Sequence, residues 1–522
     1  MSQNRSAAGK GFIMSFARGV ERIGNKIPHP MYLFLYLTIF FAIVSAICAA
    51  TGVSVTYDAP DKSGALAQKT VHAVNMLSAE GIMGLISGLW TNYRNMPTLA
   101  LVIMLGIGMA VAEQSGFFSA LLRKTMLALP RKAVVYALSV IGICANICGD
   151  AGMILAPTLG AMVYKSVGRN PWIGAITGYS AAAAGYTACL IPASIDANLS
   201  AMSQQALDAV GITGYGVNIL SNYYFNVTAT FVLAVVVTIV SETFLTKYLG
   251  DKSGAASAEA LKEAELTKEE NRGLRFSTVA FLVSTAILLL ATIPEGAVFR
   301  NAETGKILPT SPFMTSLVPF FFLYFVILGC AYGIGAGVIR RSSDVPKMMQ
   351  KGVQDMAPLC VVFFFVSVML YVFNTSNLAT IVSISGERFL RSVGLVGLPL
   401  LIIFILIISF LNFFMYSATA KWLLFAPIFI PMFANLGIHP AITQMAYRIG
   451  DSCTNSITPL NACLVACIAI MNKYRDPDLN PDEAGVGTVM STVSVFCAAM
   501  LFTFIVLFAI FWIFKLPFGV GM

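Results

Sequence analysis

Apolar runs of about 20 residues recur along the whole chain, and short polar segments separate them. A helix of that length crosses the hydrocarbon core of a bilayer. The first run is not followed by a small-residue cleavage site and is therefore expected to be retained as a span. Nine runs predict full transmembrane helices, at residues 31–52, 97–125, 172–205, 223–247, 274–293, 314–339, 355–375, 440–470 and 486–514. The pattern predicts an all-α polytopic membrane protein.

Two further apolar stretches, at residues 133–165 and 395–436, are each interrupted near the middle by a polar or small-residue tract. Each half is too short to cross a bilayer, which predicts two re-entrant helical hairpins, with kinked spans as the alternative. Non-helical backbone at membrane depth is stable only inside the protein or beside a wet cavity. The two hairpin tips, at residues 146–150 and 412–421, therefore indicate a site.

The two hairpin regions resemble each other. Matching prolines follow in the same order, at offsets that drift only from 270 to 267 residues: Pro157 and Pro427, Pro171 and Pro440, Pro192 and Pro459. In both copies a proline-containing polar tract interrupts the span after the hairpin, and such broken helices expose backbone groups that bind ions and substrates. Because the hairpins are predicted to enter from opposite sides, the repeat is predicted to be inverted, with broken helices at the midplane, as in secondary transporters.

Composition and charge agree with a membrane location. The chain is 57% hydrophobic and 11% charged, whereas soluble domains are about a quarter charged. The formal charge of +8 does not indicate nucleic acid, because Lys and Arg concentrate in the predicted inner segments and so predict a cytoplasmic N-terminus. The ten cysteines lie in apolar stretches and the three histidines lack ligand spacing, so neither a disulfide framework nor a metal site is predicted.

These patterns divide the chain into five segments. The first holds one span and an external loop, in which residues 82–94 form either an interfacial amphipathic helix or a lead-in to the second span. A hydrophilic linker, predicted to be cytoplasmic, separates the two halves. The predicted bounds are 1–96, then 97–247 for the first repeat, 248–273 for the linker, 274–354 for connecting spans and 355–522 for the second repeat.

Few strongly polar side chains lie in the predicted spans and hairpins, and a charge at the bilayer centre costs roughly 3 kcal/mol. Asp196 has no basic neighbour in sequence and is a candidate for ion coupling. Arg448 and Asp451 are three apart on one helix, so they either anchor a substrate carboxylate or form a structural ion pair. Trp422 either stacks on an aromatic ligand or packs in the core. The full set is Glu113, Asn146, Asp150, Asp196, Asn412, Lys421, Arg448, Asp451 and Asn455.

The coupling ion is open between sodium and protons, with sodium slightly favoured. Oxygen ligands of the type that sodium accepts lie at the tips and breaks, whereas Asp196 and Asp451 are alternative proton carriers. The oxygen set comprises Asn146, Asp150, Ser417, Thr419, Asn455 and Thr458. No other cofactor is predicted.

The run from Ala446 to Pro459, which contains Arg448-Ile-Gly-Asp451-Ser, resembles the signature of the AbgT family of p-aminobenzoyl-glutamate transporters. The segments 417–427, 25–30 and 484–489 and the overall length carry the same resemblance. It implies nine spans plus two hairpins, a homodimer, and a cation-driven carrier in the bacterial inner membrane. Its functional positions match Asp196, Asn412, Trp422, Pro440, Arg448, Asp451 and Pro459. The sequence departs from the family pattern at Cys148-Gly149, Tyr416 and Thr419, so the resemblance does not fix ligand size or ion choice at the two tips.

The resemblance implies uptake of p-aminobenzoyl-glutamate or related aromatic carboxylates, or else proton-driven export of sulfonamide-type antimetabolites. An ion channel is a remote alternative, because channels use rings of repeated groups around a pore. An intramembrane aspartyl protease is another, since Gly149-Asp150 and Gly450-Asp451 both lie at membrane depth. The second tract reads Arg-Ile-Gly-Asp rather than Gly-x-Gly-Asp, so an enzyme is not predicted.

Overall fold

A computed structural model describes residues 30–60, 66–127, 134–251, 265–307, 311–475, 480 and 482–521. Within these ranges eight helices are long and apolar enough to cross a membrane, or nine if one pair bent by 116° counts as a single span. The chain is mainly helical, which confirms the predicted all-α polytopic class. The segment 25–29, Arg131 and Lys132, and linker residues 252–264 lie outside the described residues.

The N-terminal part contains four helices and one small sheet. They are α1 (Pro30–Ala50), β1 (Ser54–Pro60), β2 (Leu66–His72), α2 (Ala79–Arg94), α3 (Pro97–Gln114) and α4 (Phe117–Leu127). The strands pair antiparallel, with Ser54 opposite His72. The sequence predicts only a loop here, because the strands are short and carry no long apolar alternation. The predicted span 97–125 is two helices, and the chain turns between them at Gly116, whose φ is +87°.

The first repeat region contains two helices for the hairpin, two for the broken span and one long helix. They are α5 (Val134–Cys144), α6 (Asp150–Ser166), α7 (Pro171–Ala184), α8 (Ser194–Val210) and α9 (Tyr223–Val240). A 3-10 turn (Ala145–Cys148) and Gly149, at φ +56°, separate α5 from α6. The break predicted after the first hairpin lies at residues 185–193.

The connecting helices are α10 (Lys268–Leu290), α11 (Pro312–Thr315) and α12 (Leu317–Ala336), followed by α13 (Asp344–Thr375) and α14 (Leu378–Ser392). The sequence prediction omits α14, because polar residues between its apolar positions lower its mean hydropathy. Its inner face buries Leu378, Ile381 and Ile384. Helix α2 packs against α13 and leads into α3, so the segment 82–94 is part of a helix that adjoins the second span.

The second repeat region repeats the order of the first: α15 (Gly397–Leu411), α16 (Ala418–Asn435), α17 (Pro440–Thr454), α18 (Ala462–Lys473) and α19 (Val486–Ile513). Residues 412–417 separate the hairpin helices, and residues 455–461 interrupt the following span. Contacts between the regions are reciprocal. Helix α8 packs on α16 and α18 packs on α6, while α9 packs on α19 and α3 on α13. Each region thus supports the hairpin of the other with the second half of its broken span.

Candidate functional site

Each hairpin tip supports the broken helix of its own region through an asparagine amide. The Asn146 amide nitrogen donates to the carbonyl oxygens of Tyr186 and Ala188, at 2.6 and 2.7 Å. Both acceptors lie in the first break, where carbonyls lack helical partners. The Oδ1 atom of Asn146 is buried without a hydrogen-bond partner.

Asn412 has the same role in the second region. Its amide nitrogen donates to the Asp451 carbonyl at 2.7 Å, the Thr454 hydroxyl at 2.9 Å and the Asn455 side-chain oxygen at 2.8 Å. These acceptors lie where α17 ends, next to the second break. The tips and the breaks are therefore joined by direct hydrogen bonds, which supports the prediction that the tips mark a site.

Arg448 lies on α17 in the second region, and its side chain contacts residues at the break of the first region. Its Nη1 atom lies 2.6 Å from Oδ1 of Asp196, and its Nε and Nη2 atoms donate to the Thr187 hydroxyl and carbonyl at 2.7 and 3.0 Å. The Arg448 and Asp196 side chains are only 3% and 4% exposed. The other Asp196 oxygen accepts from the Ala193 backbone N–H at 2.7 Å, next to the start of α8. One charged pair therefore joins the two regions at a helix break.

Tyr179 is the positional counterpart of Arg448, because each is the ninth residue of a helix that begins at a proline. The Tyr179 hydroxyl donates to the carbonyl oxygen of Ser456 in the second break, at 3.3 Å. The Asn461 amide donates to the same hydroxyl at 3.3 Å. The cross-contacts are thus reciprocal in position and different in chemistry: the first break is held by a charged pair and the second by a neutral phenol.

A second buried ion pair lies within the second region. Lys421 Nζ is 2.6 Å from Oδ1 of Asp451, and the two side chains are 0% and 5% exposed. The ammonium also donates to the side-chain oxygen of Asn412. The hypothesis that Arg448 pairs with Asp451 is wrong, because each contacts a different partner although they are three residues apart. Asp196, which has no basic neighbour in sequence, is in direct contact with Arg448.

Trp422 is fully buried, and its ring stacks on Tyr447 at a centroid distance of 4.3 Å. Its indole N–H lies 3.0 Å from the Ser203 hydroxyl and 3.2 Å from the Leu199 carbonyl on α8. In this conformation no part of the ring is exposed, so stacking of Trp422 on a ligand requires that neighbouring side chains move away from it.

Replacing Trp422 by Phe is expected to lower the free energy of unfolding by about 1 kcal/mol, because the Ser203 hydrogen bond is lost while ring packing is kept. Trp422→Ala is expected to cost about 3–5 kcal/mol, since it leaves a large cavity. Denaturant titration in mixed micelles measures both. If both variants lose the same free energy of unfolding, the indole N–H rather than the ring accounts for the stabilisation by Trp422.

The remaining predicted residues lie at the hairpin tips, in the second break and at the start of α17. Ser417 caps α16 by accepting from the Ala420 backbone N–H, and Thr419 is half-buried in the first turn of that helix. Pro440 begins α17, and Pro459 is half-buried in the second break. The Thr458 hydroxyl is buried 3.5 Å from the Phe413 carbonyl. Asp150 is the first residue of α6 and is exposed.

Several residues of the site were not predicted. Three of them are uncharged, so the criterion of a charge at membrane depth does not select them: Thr187, Tyr179 and Asn461. Tyr179 is nevertheless recoverable from the repeat, because the offset that relates Pro171 to Pro440 also relates Tyr179 to Arg448. Within the described residues no group of three or more His, Cys, Asp or Glu side chains is arranged to bind a metal ion.

Two reciprocally packed broken spans with buried charges at a break are typical of membrane transporters, and the family to which the chain belongs is one of transporters rather than enzymes. The AbgT transporter family model matches residues 15–522, and the chain belongs to this family. It is 31% identical over 503 residues to the p-aminobenzoyl-glutamate transport protein of Escherichia coli strain K12, covering 96% of each chain.

Two solved structures share the fold. The Alcanivorax borkumensis YdaH transporter matches with a TM-score of 0.84 and 28% identity, over 94% of this chain and 100% of the other. Neisseria gonorrhoeae MtrF, described as illuminating a class of antimetabolite efflux pumps, matches with a TM-score of 0.88 and 33% identity, over 95% and 98%. The family expected from the resemblance and the all-α polytopic membrane fold are therefore confirmed.

Proposed function

We propose that the protein is a cation-coupled secondary transporter of p-aminobenzoyl-glutamate or related aromatic carboxylates. The observation that carries this proposal is the buried Arg448–Asp196 pair, which joins the two repeat regions at a helix break. A guanidinium binds a carboxylate through parallel hydrogen bonds, and the substrate carries the same chemical group as Asp196. The likeness to the p-aminobenzoyl-glutamate transport protein of Escherichia coli supports the substrate class.

In this proposal the substrate carboxylate and Asp196 compete for Arg448. While Asp196 is ionised it occupies Nη1, so the substrate has access only after the Asp196 charge is neutralised. A cation that binds Asp196 therefore frees the guanidinium, and the two binding events are coupled through one ion pair. Release of the cation restores the pair and expels the substrate carboxylate, which gives coupled transport.

The geometry favours a proton over sodium as that cation. Asp196 Oδ1 accepts from an Arg448 guanidinium nitrogen at 2.6 Å and from the Asn226 amide at 3.2 Å, and Oδ2 accepts a backbone N–H. A proton needs only one carboxylate oxygen, so its binding displaces a single N–H donor such as that of Arg448. A sodium ion needs several oxygen ligands, whereas the partners of Asp196 named here are N–H donors.

The proposal includes alternating access around the two breaks, with the repeats inverted. The reciprocal contacts of α8 with α16 and of α18 with α6 support such a motion, because each hairpin rests on a helix of the other region. A bacterial inner-membrane location, a cytoplasmic N-terminus and a homodimer are parts of the same proposal.

Flux into proteoliposomes is the direct test. Uptake of labelled p-aminobenzoyl-glutamate is expected to saturate with concentration, to follow an imposed pH gradient and to persist when choline replaces sodium. Loss of uptake in choline at constant pH gradient would reassign coupling to sodium. Flux that never saturates and ignores both gradients would indicate a channel.

A second candidate is proton-driven export of sulfonamide-type antimetabolites, which the likeness to MtrF favours. Everted membrane vesicles separate the candidates. Acid-interior vesicles that accumulate labelled sulfonamide but not p-aminobenzoyl-glutamate would support export as the principal activity. Accumulation of both in competition would indicate one carrier with a shared site.

A further inference from the structure

Gln444 lies on α17, one helical turn before Arg448, and is only 1% exposed. Its side-chain oxygen lies 2.7 Å from the Ser203 hydroxyl on α8, and its amide nitrogen donates to the Asn222 side-chain oxygen at 2.8 Å. Asn222 immediately precedes α9. One uncharged side chain of the second repeat region therefore joins two helices of the first.

The same three helices build the Arg448–Asp196 pair. Asp196 precedes Ser203 by two turns on the same face of α8, and its Oδ1 atom accepts from the Asn226 amide at 3.2 Å. Asn226 follows Asn222 by one turn, so the two asparagines lie on one side of α9. The contact between α8 and α17 thus contains a charged link and a neutral link, each with an asparagine beside α9 or on it.

A backbone carbonyl fixes the direction of the hydrogen bonds in the neutral link. The Asn222 amide nitrogen donates to the Ala441 carbonyl at 2.8 Å, and a carbonyl can only accept. The Asn222 oxygen therefore accepts from the Gln444 NH₂, which turns the Gln444 oxygen toward Ser203. Because Ser203 has a single hydroxyl hydrogen, donating it to Gln444 leaves the Ser203 oxygen as an acceptor.

Trp422 of α16 uses that acceptor, since its indole N–H lies 3.0 Å from the Ser203 oxygen. The Leu199 carbonyl, 2.8 Å from the Ser203 hydroxyl, is the competing acceptor for the hydroxyl hydrogen. A hydroxyl turned toward Leu199 would leave the buried Gln444 oxygen without this donor, which costs free energy. It would also compete with the indole N–H, which lies 3.2 Å from the same carbonyl. Gln444 therefore sets the hydroxyl direction that the indole meets.

We propose that Gln444 is a positioning residue of the central site, which holds the Trp422 indole through the Ser203 hydroxyl while an aromatic carboxylate binds at Arg448. The inference rests on the proposed function for its substrate. When the substrate carboxylate takes Arg448 from Asp196, the charged link opens and the neutral link still connects α8 with α17. The indole then keeps its place relative to the substrate anchor.

Indole ¹⁵N labelling tests the link without any substrate. The chain has four tryptophans, and Trp422→Phe identifies the indole N–H resonance of Trp422 in the full-length protein in nanodiscs. Gln444→Met keeps the length of the side chain and removes both of its hydrogen bonds. We expect it to shift the Trp422 resonance in the same direction as Ser203→Ala does. The double variant should shift it no further than Ser203→Ala alone, because Gln444 acts through that hydroxyl.

Gln205→Met is the matched control, because Gln205 lies on α8 near Ser203 and its side-chain oxygen accepts from the Thr98 hydroxyl, at 3.2 Å, outside the link. It should leave the Trp422 resonance unchanged. If Gln444→Met also leaves it unchanged while Ser203→Ala shifts it, Gln444 does not act on the indole and the inference is wrong. An equal shift by Gln205→Met and Gln444→Met would overturn it as well.

Proteoliposome uptake gives the second readout. Gln444→Met is expected to raise the KM for p-aminobenzoyl-glutamate about fivefold, the effect of one lost hydrogen bond, with kcat within about twofold. The kcat is kept because Arg448 and Asp196 both remain, and Gln205→Met should keep the KM of the unmodified protein. An unchanged KM in Gln444→Met would show that the link serves stability alone, which overturns the positioning role. If the Trp422 resonance shifts as expected but the unmodified protein takes up no p-aminobenzoyl-glutamate, the proposed function fails and the link between Gln444 and Trp422 stands.

Discussion

Replacing Asp196 by Asn is expected to stop transport while p-aminobenzoyl-glutamate still binds. The variant leaves Arg448 buried with no carboxylate partner, and breaking a buried pair in this way costs about 3–5 kcal/mol of stability. A substrate carboxylate then supplies the missing partner, so ligand-dependent stabilisation should exceed that of the unmodified protein. Transport stops because the neutral Asn side chain carries no negative charge that could displace the substrate carboxylate from Arg448. Proteoliposome flux and thermal unfolding with and without ligand measure these effects.

Asp208→Asn is the matched control for this prediction, since Asp208 lies on the same helix, is exposed, and accepts only from the Gln204 amide. It should transport and unfold like the unmodified protein. Normal coupled transport by folded Asp196→Asn would contradict the competition for Arg448. Loss of ligand binding together with transport would instead place Asp196 in direct contact with the substrate.

The sequence predicted the places where helices break, because breaks have local chemical causes. Prolines remove backbone donors, and small or polar residues interrupt an apolar run, so residues 146–150 and 412–421 stand out without any tertiary information. The repeat offset then related the two halves. The sequence alone was therefore sufficient to predict which residues lie at the tips and breaks.

The partners across the breaks could not be read in the same way. Helix periodicity relates residues three or four apart, which favoured Arg448 with Asp451, whereas Arg448 contacts Asp196, 252 positions away. Contacts of that kind depend on how α8 and α17 pack, and no local pattern encodes that packing. Lys421 could be identified as a candidate because it is a charge at membrane depth. Its pairing with Asp451, however, depends on how α16 and α17 pack.

The two buried pairs differ in what they join, which leads to a division of roles. Arg448–Asp196 joins the two repeat regions, so it must change when they move relative to one another. Lys421–Asp451 lies inside one region and, with Asn412, supports the second hairpin tip. We therefore expect the first pair to act in coupling and the second to act in stability.

A double-variant experiment tests this division. Lys421→Gln alone should cost about 3–5 kcal/mol in the free energy of unfolding, because Asp451 remains buried without its ammonium partner. Lys421→Gln combined with Asp451→Asn should recover most of that loss, since two neutral amides can hydrogen-bond to each other and to Asn412. Unfolding in mixed micelles gives the stabilities, and proteoliposome flux gives the activity.

The double variant should transport, because neither charge of this pair crosses between the regions. The corresponding double variant of the other pair, Asp196→Asn with Arg448→Gln, should recover stability without recovering transport, because it also removes the substrate anchor. If the Lys421–Asp451 double variant is as stable as the unmodified protein but inactive, one or both charges of this pair take part in transport. Coupling would then involve both buried ion pairs rather than Arg448–Asp196 alone.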